Sequence, residues 1–160
     1  MKLDNPLWHY ISAVYSQAEI ETICLEVQGH GLQVNSVLCC IWLAQQQKRY
    51  DSSVFEAAQQ PWRNKFLLPF REMRYALRLE KAQQAILSSC YESMKDTELA
   101  MEQVDIALLW QASNHLTKVD TPPTEAVLAL DNLEVYIQSE NVMNPDICRV
   151  GCRSLVKHLC

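Results

Sequence analysis

Apolar residues recur at helical spacing along the chain, and the segments they define follow one another with short gaps. Leu7, Ile11, Val14 and Tyr15 form a first stripe, introduced by Asn5 as a cap and Pro6 at the first helical position, where its missing N–H costs nothing. Ser16 with Glu19 has the spacing of a capping box for a second helix carrying Ile20, Ile23, Cys24 and Val27, which stops at Gly29 to Gly31. A third helix, starting near Asn35, is apolar nearly all round from Val37 to Leu43 and is expected at the centre of the core.

Asp51 to Ser53 with Glu56 predicts a fourth, short helix ending before Pro61, because the residue preceding a proline is pushed away from helical geometry. A long helix is expected from near Trp62 to about Ser93, bent near Leu67 where Pro69 removes a backbone hydrogen bond. Further helices are predicted from Thr97 to about Asn114, from about Pro122 to Ser139, and from Pro145 to His158 behind an Asn144 cap. The pattern predicts an all-α, single-domain multi-helix bundle over residues 1–160, with Trp8, Tyr15, Cys24, Leu38, Trp42 and Leu77 in or near its core.

Composition supports that picture. Hydrophobic residues make up 49% and charged residues 21%, and the three glycines are too few for a hairpin-rich fold or Gly-lined phosphate loops. The seven cysteines are odd in number and mostly sit among aliphatic residues, the usage of free buried thiols in a reducing compartment. The N-terminus lacks the apolar run of a signal peptide, and the longest apolar stretch, Val37 to Ala44, is too short for a membrane span. A cytoplasmic protein without a membrane partner is therefore expected.

Charge changes the picture more than composition does, because it is distributed in blocks. Residues 63 to 81 hold six basic and two acidic side chains, whereas residues 82 to 140 hold two basic and ten acidic ones. On a helical wheel Arg71, Arg74, Arg78 and Lys81 lie within about 80 degrees of one another, beside an apolar row of Phe70, Met73 and Leu77 taken as the buried face. Trp62, Arg63, Arg71, Arg74, Arg78 and Lys81 are thus the candidate binding residues, on a segment expected to serve as a spine for the shorter helices. The basic stripe meets either acidic helices of its own chain, the leading reading, or an acidic protein partner, with a homodimer through exposed parts of the long helix as a further option. Nucleic acid is a weaker partner, since a net charge of −5 lacks the long-range field of such binders.

Cys148 and Cys152 are the only weak candidates for a metal, an i, i+4 pair that shares its helix face with Leu155 and Leu159 and reads better as buried thiols. No Glu-x-x-His pair, H-E-x-x-H, G-x-S-x-G or phosphate-loop pattern occurs, so no catalytic residue and no cofactor is assigned. The expected role is a non-enzymatic interaction or regulatory protein. The alternatives are a small anionic-ligand binder or enzyme with an inter-helix pocket using Arg63, Arg71, Gln28 or His9, and RNA binding.

The succession Leu7-Trp8-x-Tyr10, Tyr15, Cys24-Leu25-x-x-Gln28, Val34-Asn35, Leu38, Trp42-Leu43, Trp62-Arg63, Pro69 and Arg71-x-x-Arg74 resembles a family of uncharacterised proteobacterial proteins, a domain of unknown function of about this length. The resemblance covers roughly residues 7 to 80 and departs at Phe70, where leucine is expected after the proline. It implies a bacterial, cytoplasmic all-α protein and carries no catalytic residue with it.

Overall fold

The computed structural model describes residues 1–160 and is all-α. Its helices are α1 (Pro6–Tyr15), α2 (Ala18–Gly29), α3 (Val34–Gln45), α4 (Ser52–Trp62), α5 (Leu68–Lys81), α6 (Ser88–Ser113), α7 (Glu125–Ser139) and α8 (Pro145–Leu159). A π turn over Arg63–Leu67 joins α4 to α5 without a break, and a 3-10 turn over Ala85–Leu87 leads into α6. No helix is long and apolar enough to cross a membrane.

Local chemistry accounts for several helix ends. The Asn5 side chain accepts from the Trp8 N–H at 3.0 Å, Asp51 from Ser53 at 3.0 Å, and Asn144 from Ile147 at 3.3 Å, each satisfying a donor that the first helical turn leaves open. At the end of α2, Gly31 at φ +109° lets the Leu32 N–H reach back to Val27 and its own N–H to Gln28, closing the helix as a Schellman motif over the buried Leu32. Other starts differ from expectation. Ser16 donates to the Ala13 carbonyl instead of capping, so α2 opens behind Gln17 without a side-chain cap; α6 opens at Ser88 rather than Thr97, and α7 behind Thr124, past the Pro122-Pro123 pair, while α3 opens at Val34, beside the expected Asn35.

The core is built around α3, in which every side chain from Ser36 to Ala44 is buried. α7 packs along it, with α1, α2, α6 and α8 completing the ring. Tyr50 stacks on Phe55 with ring centroids 4.7 Å apart and meets the edge of Tyr136 at 5.7 Å, sealing one end. Trp8 and Tyr15 pack half-buried against this core, while Cys24, Leu38 and Trp42 lie inside it.

α2 and α8 cross closely at Gly151, where a Cβ would stand 2.5 Å from the Val27 Cγ1. Gly151→Ala is expected to lower stability, since overpacking at about 1–3 kcal/mol outweighs the ~1 kcal/mol gained in helix propensity. Adding Val27→Ala reopens the space, so a denaturation series should show the double variant to be less destabilised than the sum of the two single ones.

The segment expected to form the spine behaves otherwise. α4 does not stop before Pro61 but runs through it, because Phe55, Gln59, Arg63, Leu67 and Arg71, each four residues after the last, are all buried on one side of the rod. A strict α-helix would carry that spacing around the axis; the wider π turn at Arg63–Leu67 brings it back into line. The long helix then ends at Lys81 instead of Ser93, and the chain reverses through Ala82 to Gln84. α5 packs only on α6, the π turn and the 3-10 turn, so α5 and the first half of α6 form a two-helix arm beside the body. It is not a spine.

The wheel is also reversed there. Met73 is 56% exposed, Phe70 and Leu77 are half-buried and outside the core cluster, and Arg71 is the buried residue of α5. The basic stripe, not the apolar row, turns toward α6.

Candidate binding site

Ion pairs hold the arm together in antiparallel order. Lys81 reaches Glu92 at 3.1 Å near the tip, Arg74 and Arg71 share Glu98, and Arg71 also meets Glu102 at 2.6 Å and the Gln33 amide oxygen at 3.2 Å. Arg74 further donates to the Tyr91 hydroxyl at 3.3 Å and lies over the Tyr75 ring. Burial pushes the Glu98 carboxyl up, but the hydrogen bonds from Arg74 and Arg71 outweigh it and hold the group below the usual glutamate value. Glu102 goes the other way: burial dominates, and the single arginine bond does not restore it.

At the arm's root, Arg63 forms a fork with Asp105, Nε to Oδ1 at 2.8 Å and Nη2 to Oδ2 at 2.9 Å. Gln59 donates to the same carboxylate at 3.0 Å, Asn35 at 3.2 Å, and Arg63 also donates to the Ser36 hydroxyl at 3.0 Å. Asp105 is fully buried, and this knot ties α3, α4, α6 and the π turn together.

A cleft opens where the arm meets α1 and α2. Its inner compartment, about 350 Å³, has an apolar wall of Trp8, Ile11, Tyr15, Val34 and Ile106. Its outer compartment, about 420 Å³, is bordered by Arg74, Arg78 and Lys95 and by Glu21 and Leu25 of α2. Tyr15, Gln28, Leu99 and Glu102 line both, so the two compartments adjoin. Each volume falls within the range of small-molecule sites, about 300–1,000 Å³, with an apolar lining and a few polar groups.

The structure distributes the sequence candidates unequally. Arg71, Arg74 and Arg78 reach the cleft, and only Arg78 of the three makes no ion pair. Arg63 is committed to Asp105, Lys81 to Glu92 and the Tyr91 ring, and the Trp62 indole N–H donates to the Met101 carbonyl at 3.2 Å. Gln28 lines both compartments, whereas His9 lies on the surface against Asp4 at 2.7 Å. Cys148 and Cys152 are buried with their thiols pushed up by burial, and no group of His, Cys, Asp or Glu stands together in metal-ligand geometry. Sequence reasoning missed Trp8, Tyr15, Asn35, Lys95, Leu99 and Glu102 as wall residues; only Leu99, an apolar position 54% exposed on an amphipathic helix, departs from ordinary packing.

These features define an all-helical domain with a salt-bridged arm and a cleft at the arm's base. The chain belongs to the family described as Protein of unknown function (DUF2390), whose model matches residues 6–109. The match extends beyond the expected 7 to 80 to take in the arm and every helix that lines the cleft, leaving α7 and α8 outside it. No curated protein and no solved structure matches the chain.

Proposed function

We propose that this protein binds a small molecule in the cleft between arm and body, the ligand placing an apolar group in the inner compartment and an anionic group at the mouth. One observation carries the reading: an apolar pocket adjoins a mouth whose Arg78 has no carboxylate partner of its own. Binding there would cost no internal ion pair. The other arginines of the stripe already meet α6 carboxylates, which is why an acidic protein partner is not the leading reading.

Anilinonaphthalene sulfonate, an apolar body with one anionic group, is a direct probe. Its fluorescence titration is expected to saturate at one site, with Ser12→Trp filling the inner compartment and weakening it by tenfold or more, and Arg78→Glu by several-fold. Unchanged affinity in both variants would place the dye elsewhere and end the assignment.

A second reading, contact with another copy of this chain through the arm's outer face, is favoured by a charge pattern. Lys65 and Glu80 are exposed, make no ion pair, and stand equally far from the Glu72–Met73 step, so two antiparallel copies crossing at that step match each lysine to the other's glutamate. Light scattering is expected to show a dimer that Lys65→Glu breaks and the Lys65→Glu/Glu80→Lys exchange restores. A monomer at all concentrations removes it.

A further inference from the structure

Two ends of the cleft hold polar groups without a partner, and these point to a ligand class, an inference that rests on the cleft being the binding site. At the neck between the compartments, Glu102 spends Oε1 on Arg71 and leaves Oε2 without a hydrogen-bond partner. Asn35, on the inner wall, spends its amide nitrogen on Asp105 and leaves its carbonyl oxygen open. The neck therefore offers two open acceptors, one of them carrying negative charge, beside the amide of Gln28 and in a partly desolvated place where an unpaired carboxylate is costly. At the mouth the guanidinium of Arg78, which only donates, is without an ion pair, and so is the carboxylate of Glu21.

Spacing sets the length of a molecule that satisfies both ends. Arg71, which holds Glu102, precedes Arg78 by seven residues of α5, or about 10 Å along the helix at 1.5 Å per residue. Long helical side chains lean toward the N-terminus, so Arg78 leans back toward the neck and shortens this span. An α-amino acid, whose charges are separated by one residue, does not cover it; an extended chain advancing about 3.3–3.6 Å per residue covers it in two to three residues.

We propose that the cleft receives a short peptide of two to three residues, its α-ammonium held by Glu102 and Asn35, its first, apolar side chain among Trp8, Tyr15 and Val34, and its terminal carboxylate on Arg78. The free ammonium donates to Glu102 and Asn35, and the carboxylate supplies the partner that Arg78 lacks. Neither end disturbs Arg71, which keeps Glu98 and Gln33.

Calorimetric titration with Phe-Gly-Gly, its N-acetyl form and its C-terminal amide tests this on the intact protein. The free tripeptide is expected to bind, and acetylation or amidation is each expected to weaken it by at least tenfold. Glu102→Gln should abolish the difference between free and acetylated peptide while leaving that between acid and amide, and Arg78→Gln should do the reverse. Far-ultraviolet dichroism checks that both variants keep their helices. Equal affinity for the free and acetylated forms overturns the proposal. Failure of all three peptides at millimolar concentration, while the naphthalene dye is still displaced by Ser12→Trp, overturns the peptide class and leaves the cleft standing. If the dye too is insensitive to Ser12→Trp and Arg78→Glu, both readings fall.

Discussion

Asp105→Ala is expected to destabilise the fold by about 3–5 kcal/mol, the cost of leaving a buried guanidinium without its carboxylate. Asp105 accepts four hydrogen bonds, two from Arg63 and one each from Gln59 and Asn35, and the Arg63 side chain is only 7% exposed. With Asp105 gone, Arg63 keeps the Ser36 hydroxyl alone. Against a total stability of roughly 5–15 kcal/mol that is a large fraction, lowering the melting temperature by roughly 10 °C. The companion variant separates charge from packing. Arg63→Met with Asp105→Leu removes both charges together and should recover most of the loss, because apolar residues of similar volume often replace a buried pair at little cost. Thermal and urea denaturation of the two variants check the pair, and a loss below ~1 kcal/mol for Asp105→Ala would deny the knot its structural role.

Glu98→Ala acts on the arm rather than on the body. Its carboxylate is shared by Arg71 and Arg74, and beyond the π turn and α6, α5 packs on no other helix of the body, which it reaches through the Arg71 hydrogen bond to Gln33. Hydrogen bonds to charged groups are worth about 1.5–3 kcal/mol, so amide exchange over residues 68–97 is expected to quicken by roughly 10- to 100-fold while α3 barely changes. A uniform change across the molecule would show that arm and body open as one unit. The same segment should respond to pH in a defined direction. Glu98 is held below its ordinary value of 4.5, so its contribution is complete above that value and is lost as pH falls through the depressed one. Glu102 lies above 4.5, so lowering the pH through its range relieves a buried charge and adds stability. The two windows adjoin at the ordinary value, and protection of the arm in the wild-type protein should peak near pH 4.5.

Much of the fold is legible in the residue pattern because its causes are local. Asn5-Pro6 and Asn144-Pro145 start helices through their own backbone geometry, Gly31 ends one, and the apolar run of α3 has no polar face to leave in water. The charge blocks were equally visible. Their arrangement was not, since no glycine or proline marks the reversal at Ala82 to Gln84 and the chain there reads as helix. What turns it is the energy of laying Lys81, Arg74 and Arg71 against Glu92, Glu98 and Glu102, a gain that exists only once the two halves are antiparallel.

The cleft is the extreme case of the same distinction. Its walls come from α1, α2, α3, α5 and α6, and Trp8, Tyr15 and Val34 have the spacing of ordinary core positions. By itself the sequence determined helix type, the capped starts of α1, α4 and α8, the central helix and the opposed charge blocks, each of which follows from a local pattern of residues. The reversal of the α5 wheel, the π turn, the buried Arg63–Asp105 fork and the open space at the base of the arm were settled by tertiary packing. Each depends on which distant surfaces meet, and a buried arginine is stable on α5 only because carboxylates more than twenty residues away arrive to receive it.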